Sequence, residues 1–390
     1  MNILLINDFL EGGGAEAVFR DQFDILKKDY DVDRFYAYTS FSNRKYFPFA
    51  YIYSFSWKRK LTAFLKDKQF DRIIIHNFSA ILSSSVLDVL AQYKKKTACK
   101  IIYYAHDFHL VCPNRGYFYL RKGKTIGFRQ PPTMAEFFCK RLDYRGIIYS
   151  MLKKIQWIWA YPVKKKQTVF DWVLAPSDFL TGQIRQAYPS MIVQRMYNFC
   201  NALAVAAEKK NTRENDTLRL VYFGRIAKEK GLAEFITALQ SSSVNFTFTL
   251  IGEGEEEAHI QSLVSAYNIQ DKVCIRAKMD AACLFEELQH YDVGVLSSLL
   301  YENAPLSVVE AASLGLGLFL ARHGGILEMG RICCAAHFFD PANPADIIVN
   351  LENLYSDFLN DALPKADKKQ LQALFSRETY IQNLKKYLEG

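Results

Sequence analysis

The sequence has 390 residues, of which 50% are apolar and 23% are charged. This composition excludes a disordered chain, and the chain is long enough for two hydrophobic cores. No run of about 18 apolar residues occurs, which excludes a helical membrane span. The net charge of +8 is divided unevenly: residues 1–200 carry 31 Lys and Arg against 16 Asp and Glu, whereas residues 201–390 carry 18 against 25. We therefore expect the first half to bind an anionic partner.

The cysteines and the first residues indicate a cellular compartment. The start, MNILLINDFLEGGG, lacks a basic region and a cleavage site and is typical of a first strand rather than of a signal peptide. The eight cysteines form no CxxC pair. We expect reduced thiols in the cytoplasm rather than zinc ligands or disulfide bonds.

In chain order, short β-rich runs alternate with amphipathic helical runs, and this rhythm occurs twice. Strands are predicted at residues 2–7, 35–38, 72–77, 100–107, 171–177, 218–225, 246–252, 273–277, 292–298 and 316–321. Helices are predicted at residues 16–28, 83–95, 231–240, 255–267, 281–291 and 305–315. The alternation predicts an α/β protein with two Rossmann-like, doubly wound domains.

The polar segment 207–217 is the predicted linker between these domains. We expect an N-terminal domain at residues 1–200 and a C-terminal domain at residues 201–375. The last helix, residues 376–390, is expected to cross back to the first domain.

Residues 114–166 interrupt the alternation with many aromatic and cationic side chains, with helical stretches and no obvious strand. The run KKIQWIWAYPVKKK places Trp and Tyr between lysines, a pattern that favours contact with an anionic bilayer or a lipid-linked diphosphate. An ordinary helix pair that covers a core is the alternative interpretation. A nucleic-acid partner is not expected, because no nucleic-acid-binding motif accompanies the basic residues.

Polar and glycine residues follow several predicted strands of the first half, where open α/β sheets bind their ligands. Gly13 and Gly14 lie between the first strand and a helix, so the backbone there can approach an anion closely, although a plain turn is an equal alternative. His106 ends a strand and is a candidate for polar contact or proton transfer. The other candidates, which would lie on the acceptor side, are His76, Asp107 and His109. The alternative for the histidines is a hydrogen bond to a backbone carbonyl.

In the second half, the first strand ends in Gly224 and Arg225, and Lys230 follows at the start of a helix. The two cations straddle one loop and could clamp a diphosphate, Arg through a fork of donors and Lys as a point charge. A solvated surface pair is the alternative. Gly252 ends the next strand and permits close backbone approach.

Two glutamates in YENAPLSVVEAASLG are placed unusually for a soluble chain. Pro305 fits the first position of a helix, so Glu302 would lie in the loop before it and Glu310 inside an apolar run. A buried carboxylate needs partners, and the two hydroxyls of a ribose are well matched to it. The backbone amides that face the same helix mouth are those of Asn303, Ala304 and Leu306. The alternative is a helix start plus a core carboxylate bridged to an arginine.

Together these motifs resemble the retaining, nucleotide-sugar-dependent glycosyltransferases of the GT-B fold, family 4 (glycosyl transferases group 1). The matching segments are the glycine-rich loop at 12–14, the histidine at 106, FGRI…EKG at 223–231, IGEGEE at 251–256, and the two glutamates of E-x7-E at 302 and 310. The similarity is strong over residues 218–330 and looser in the first half.

The resemblance implies roles for the candidate residues. Arg225 and Lys230 would hold the donor diphosphate, Glu310 the ribose, and Glu302 with the following amides the donor sugar. His106 would contact the sugar near the reacting centre, while Gly13 and Gly14 would approach phosphate and acceptor.

The resemblance also implies a reaction and its partners. The anomeric configuration would be retained, and no metal or other cofactor would be needed, because cationic side chains stabilise the leaving group. The donor would be a nucleotide sugar, with UDP preferred, bound by the C-terminal domain, and the N-terminal domain would bind the acceptor. The acceptor would be a lipid-linked or lipopolysaccharide glycan at the cytoplasmic face of the membrane. The alternatives are a non-catalytic nucleotide-sugar or glycan-binding protein and a sugar-nucleotide epimerase on the same fold.

Overall fold

The computed structural model describes residues 1–40, 48–122, 124–205, 215–333 and 336–390. These residues divide into two units, residues 1–197 with 381–390, and residues 198–380. The sequence-based boundaries at 200 and 375 differ from these by a few residues. Most of the predicted linker at 207–217 lies outside the described residues.

The strands and helices alternate along the chain. The strands are β1 (Asn2–Phe9), β2 (Asp31–Tyr38), β3 (Arg72–Ile75), β4 (Lys100–Tyr104), β5 (Phe118–Arg121), β6 (Lys124–Gly127), β7 (Trp172–Ala175), β8 (Val193–Arg195), β9 (Leu218–Phe223), β10 (Phe246–Ile251), β11 (Val273–Arg276), β12 (Val293–Leu296), β13 (Gly317–Ala321) and β14 (His337–Phe339). The helices are α1 (Gly14–Leu26), α2 (Pro48–Ile52), α3 (Phe55–Leu65), α4 (Ser85–Lys96), α5 (Met134–Cys139), α6 (Ile147–Ile158), α7 (Asp178–Ala187), α8 (Leu232–Leu239), α9 (Glu257–Ala266), α10 (Ala281–Leu288), α11 (Leu306–Ser313), α12 (Gly324–Cys333), α13 (Pro344–Leu359), α14 (Lys368–Phe375) and α15 (Arg377–Glu389).

The first unit is built on a six-stranded sheet in the order β2-β1-β3-β4-β7-β8, and all of its strand pairs are parallel. Its central strands are apolar on both faces; Ile73, Ile74 and Ile75 are fully buried. Such strands need helices on both sides of the sheet, which the intervening helical segments supply. The strand order changes direction between β1 and β3, which places the ligand-binding edge of the sheet at their carboxyl ends.

The second unit repeats this design with the order β11-β10-β9-β12-β13-β14, again with parallel pairs only. The direction changes between β9 and β12. Local signals end or begin its helices as expected: Asn343 caps α13 through its side chain, and Pro344 is the first helical residue. The prediction of two Rossmann-like domains is confirmed.

The segment 114–166 corrects one sequence-based expectation. It contains an antiparallel hairpin of β5 and β6, where no strand was expected, because the two short strands, FYLR and KTIG, include cations and show no apolar pattern. The segment also contains α5 and α6, and α6 continues into a π-helix at Trp159–Val163 that includes Pro162. Among the described residues, no helix is both long and apolar enough to cross a bilayer.

The later part of α15 packs in the first unit. Lys385 forms an ion pair with Asp29 at 2.9 Å, and Tyr30 Oη donates to Glu389 at 2.6 Å. The ring of Tyr387 lies edge-on to Trp172 on β7. The last helix therefore supplies part of the wall of the first unit.

Candidate active site

The loops that follow β9, β10, β12 and β13 are held against one another at the carboxyl edge of the second sheet. Gly224 N donates to Ile251 O at 3.0 Å, and a Cβ on Gly252 would lie only 1.9 Å from Gly224 O. A Cβ on Gly325 would lie 1.6 Å from Asn303 O. Only glycine permits these backbone contacts, so the loops that carry the predicted site residues have a fixed mutual position.

Glu302, in the loop after β12, is held by a cation and a hydroxyl. Lys230 Nζ lies 2.6 Å from Glu302 Oε1, and Ser298 Oγ donates to the same oxygen. Burial alone would raise the pKa of Glu302, but Lys230 and Ser298 outweigh it and hold the pKa below its usual value. The carboxylate is therefore ionised at neutral pH. The structure thus brings together two of the predicted residues, while nothing in the sequence marked Ser298.

Arg225 lies on the same loop as Lys230 but has separate partners. Its side chain is 57% exposed and pairs with Glu229 and Glu255. The two cations do not share a partner among the described residues. Arg225 is therefore a largely exposed residue whose ion pairs are screened by water, and a diphosphate would have to compete with two glutamates for it.

Glu310 lies in α11 without a counter-charge. Burial raises the pKa of its carboxyl from 4.5 to about 7, and in the described part of the chain no side chain forms an ion pair or hydrogen bond with that carboxyl. The nearby Cys200 thiol is neutral, because burial, and then the Glu310 charge, raise its pKa to about 12. The interpretation of Glu310 as a core carboxylate bridged to an arginine is therefore wrong for these residues. Its carboxyl is available to a ligand.

The first residue of α11 differs by one position from the sequence-based prediction. Pro305 does not occupy the first helical position but precedes it as the cap, with φ −67° and ψ 113°, and α11 begins at Leu306. The reason is that Pro305 keeps an extended ψ, which a first helical residue does not have. The amides of Ala304 and Leu306 still lie where the helix itself supplies no acceptor.

His323, in the loop after β13, was not singled out as a site residue. Its Nε2 donates to Ser298 O at 2.8 Å, and its Nδ1 is buried without a hydrogen-bond partner in the described residues. Burial lowers the pKa of the ring, so it stays neutral. The sequence showed the Arg322–Gly325 loop as a motif. Only the fold shows that His323 donates to the Ser298 backbone and that Ser298 donates to Glu302.

In the first unit, two histidines and a glutamine form a hydrogen-bonded chain beyond β3 and β4. His76 Nε2 lies 2.9 Å from Gln22 Oε1, and His76 Nδ1 lies 2.7 Å from His106 Nε2. Burial lowers the pKa of both rings, that of His106 to about 3. Because an amide oxygen only accepts, His76 donates to Gln22 and accepts from His106. The Nδ1 of His106 is therefore unprotonated and acts only as a hydrogen-bond acceptor.

Two of the predicted acceptor-side residues are corrected by their burial. His76 is fully buried, so it acts through His106 and not by touching an acceptor. His109 is 2% exposed, and its Nδ1 contacts Tyr161 Oη at 3.0 Å, which makes it a packing residue. Both follow a strand as expected, but their rings turn into the unit.

Asp107 remains partly accessible next to an arginine. Its Oδ2 lies 3.6 Å from Arg115 Nε, and the same guanidinium lies 3.6 Å from the buried Asp8. Burial raises the pKa of Asp107 despite Arg115. Arg115 adopts a left-handed backbone, with φ 61°, a conformation that costs energy and is frequent at functional sites.

One backbone amide of the glycine-rich loop already has a hydrogen-bond partner within the protein. Gly13 is the cap of α1, and its N–H donates to Glu16 Oε2 at 2.9 Å. Gly14 is the first residue of the helix, and a Cβ there would meet nothing within 4 Å. An anion at this position would have to displace the Glu16 carboxylate from the Gly13 amide.

Comparison with known proteins places the second unit in a family. Residues 206–369 match the model of glycosyl transferases group 1. These residues are a glycosyl transferases group 1 domain. The matched range contains Arg225, Lys230, Glu302 and Glu310, so the loop network described above lies entirely within the glycosyl transferases group 1 domain.

Relatives and solved structures agree with this domain assignment. The chain is 22% identical over 237 residues to the amylovoran biosynthesis glycosyltransferase AmsK of Erwinia amylovora, which covers 52% of this chain and 57% of that protein. The match thus spans little more than half the length of that relative. Two solved structures share the fold over nearly the whole chain. The lipopolysaccharide outer core galactosyltransferase WaaB has a TM-score of 0.67 at 16% identity, with 99% of this chain and 98% of that chain covered. Anabaena Alr3699/HepE in complex with UDP-glucose has a TM-score of 0.67 at 15% identity, with 100% and 99% covered. The predicted GT-B fold is confirmed.

Proposed function

We propose that the protein is a retaining, metal-independent glycosyltransferase that moves a hexose or N-acetylhexosamine from a UDP-linked donor to a lipid-linked saccharide. The reaction would serve bacterial surface polysaccharide synthesis at the cytoplasmic face of the membrane. The group 1 domain supports the reaction class, and relatives named for amylovoran and lipopolysaccharide core synthesis support the pathway class. The observations that carry the proposal are the pairing of Lys230 with Glu302 and the buried Glu310, whose carboxyl has no side-chain partner among the described residues.

The donor site follows from the charges of these side chains. Glu310 in its ionised form accepts hydrogen bonds from the two ribose hydroxyls, which supply the donors that its carboxyl lacks in the protein. Lys230 faces the diphosphate with its charge, and Glu302 accepts from hydroxyls of the transferred sugar. Arg225 leaves Glu229 and Glu255 to bind the diphosphate through its fork of donors.

The transfer itself needs stabilisation of the leaving group more than a protein nucleophile. The bond between C1 of the sugar and the β-phosphate oxygen breaks, and its electron pair leaves with UDP. The acceptor hydroxyl oxygen forms the new bond to C1 from the same face, and its proton passes to the departing phosphate. Lys230 and Arg225 stabilise the developing negative charge. The His106 Nδ1 accepts a hydrogen bond from a sugar hydroxyl and helps to orient C1.

The first experiment ranks nucleotides by thermal shift, with UDP, GDP and ADP as probes, and UDP is expected to raise the melting temperature most. Turnover is then measured with nucleotide sugars in the presence and absence of a polyprenyl-diphosphate saccharide. Acceptor-dependent release of UDP, with the product anomer assigned by NMR as that of the donor, supports the proposal. Tight binding without turnover would identify a non-catalytic binding protein, and an inverted product would refute retention.

A further inference from the structure

Helix α6 and the following π-helix, residues 147–163, expose apolar side chains along one side. Six of them are between 41% and 75% exposed, and from position 148 onward they recur at spacings of three and four residues, so they lie on one helical face. We call this set the apolar stripe; it consists of Ile147, Ile148, Met151, Ile155, Trp159 and Val163. Soluble proteins do not usually leave so continuous a patch in water without a partner.

The opposite face of α6 is the polar one, and it points into the protein. Ser150, Lys154 and Gln156 are each at most 4% exposed. The Lys154 ammonium donates to a backbone carbonyl at 3.1 Å, and the Gln156 amide donates to two others at 2.6 and 2.8 Å. Although Trp157 also packs inward, this is not the pattern of a helix that merely covers a core, because such a helix buries its apolar side chains.

The apolar stripe continues into a groove of ≈ 650 Å³ on the same unit. The groove is lined by apolar and aromatic side chains together with Lys164, Lys166 and Asp88, and Lys166 pairs with Asp88 at 2.9 Å. Phe55, which begins α3, is part of the lining and is 68% exposed. The exposed apolar surface is thus broader than one helix.

The sequence segment that carries the apolar stripe is strongly cationic. The segment 114–166 contains thirteen Lys and Arg but only two acidic residues. Both acids are already neutralised, since Glu136 pairs with Lys140 at 2.7 Å and Asp143 pairs with two cations at 3.0 and 2.8 Å. An apolar centre with a cationic rim is complementary to an anionic lipid surface, where head groups are negative and the layer beneath them is apolar.

We propose that the apolar stripe inserts into the interface of an anionic lipid bilayer and docks the first unit there. This inference rests on the proposed lipid-linked acceptor, whose diphosphate is confined to the head-group layer. Ile148, Ile155 and Trp159 enter the apolar boundary, and the surrounding lysines and arginines pair with lipid phosphates. Docking by this face brings the acceptor and the first unit to the same surface without a membrane-spanning segment.

The test is co-sedimentation of the full-length protein with vesicles, either of neutral phosphatidylcholine or with about 30% phosphatidylglycerol, without any donor. Wild type is expected to bind the anionic vesicles, and the double variant Ile148→Ser/Ile155→Ser is expected to bind at least about tenfold more weakly, because two inserted side chains are lost. Ile192→Ser is the matched control: Ile192 is 55% exposed in the same unit but outside the stripe, and its replacement should leave binding unchanged. Both variants should keep the wild-type melting temperature.

Equal binding of the double variant and wild type to anionic vesicles would overturn the inference, since the cations alone would then hold the protein. The inference would also be overturned if wild type were a dimer and the double variant a monomer, with equal vesicle binding. The apolar stripe would then join two copies of the chain. The proposed function is tested separately with a short-chain, water-soluble acceptor. Transfer to that acceptor with vesicle binding absent refutes docking alone, whereas vesicle binding without any transfer refutes the reaction alone.

Discussion

The carboxyl of Glu310 should make both stability and donor binding depend on pH near neutrality. Its pKa is about 7 in the folded protein against 4.5 for an unperturbed glutamate, because burial disfavours the charge. Below pH 4.5 the group is protonated in both states and has no effect. As the pH rises from 4.5 to 7 the unfolded chain loses the proton first, so stability falls and then levels off above the folded pKa.

The magnitude follows from the difference between the two pKa values. At about 1.4 kcal/mol per unit, ionisation of Glu310 lowers the free energy of unfolding by up to about 3 kcal/mol above pH 7. Glu310→Gln removes this cost, so at pH 8 the variant should melt roughly 6–12 °C above wild type, given about 2–4 °C per kcal/mol for a unit of this size. At pH 5 the two proteins should melt at nearly the same temperature.

Donor binding should show the opposite dependence. If only the carboxylate accepts from the ribose hydroxyls, the affinity for UDP-glucose should be about tenfold weaker at pH 6 than at pH 8, as measured by calorimetry. A nucleotide sugar is the right probe, because its diphosphate diester stays ionised over this range. Glu310→Gln should bind weakly and without this pH dependence. Exposed Glu352→Gln in α13 is the control. A wild type and a Gln variant with identical pH profiles, in melting and in binding, would refute the reasoning.

Three further variants test the remaining parts of the site. Lys230→Met removes the cation that pairs with the Glu302 carboxylate and that would stabilise the donor diphosphate. The transfer rate, measured by UDP release, should therefore fall by about 100-fold or more. Gly325→Ala forces a side chain into the loop backbone and should lower the free energy of unfolding by about 1–3 kcal/mol, measured by urea unfolding. Gln22→Leu removes the acceptor that orders the histidine chain, so ¹⁵N NMR should show His106 changing from one tautomer to a mixture.

Matched controls separate these effects from general damage. Lys365→Met removes an exposed lysine from the second unit and should leave the rate unchanged. Gly182→Ala adds a Cβ in α7 where nothing lies within 4 Å, so it should be neutral or stabilising by up to about 1 kcal/mol. An unchanged His106 spectrum in Gln22→Leu would contradict the assigned direction of the hydrogen bonds.

Strong local patterns made most of the fold predictable. The central strands are continuous apolar runs such as RIIIHN, and their lengths and flanking residues identify them without any tertiary information. The edge strands β8 and β14 were missed because each has three residues, too few to show a period. The hairpin of β5 and β6 was missed because its strands pair only with each other and never need an apolar face.

The site was predictable only as far as motifs mark it. Glu302, Glu310 and Lys230 follow strands or begin helices in a recognisable order, and the fold places Glu302 and Lys230 in contact. Supporting side chains carry no such mark. Gln22 is one polar residue on an otherwise ordinary amphipathic helix, and its importance lies in a contact with His76 that spans 54 residues of sequence.

The pairing of Arg225 with Glu229 and Glu255 does not oppose its proposed role. The Arg225 and Glu255 side chains are 57% and 60% exposed, and pairs this open to water contribute only about 0–1 kcal/mol. A diphosphate offers more charge and a better match to the guanidinium fork, so exchange of partners costs little. Lys230 differs, because its side chain is only 19% exposed and its pair with Glu302 is correspondingly less screened. Under the proposed function, the donor would meet one cation held in place by Glu302 and one exposed cation that could exchange partners, which would favour capture of the diphosphate before the sugar reaches Glu302.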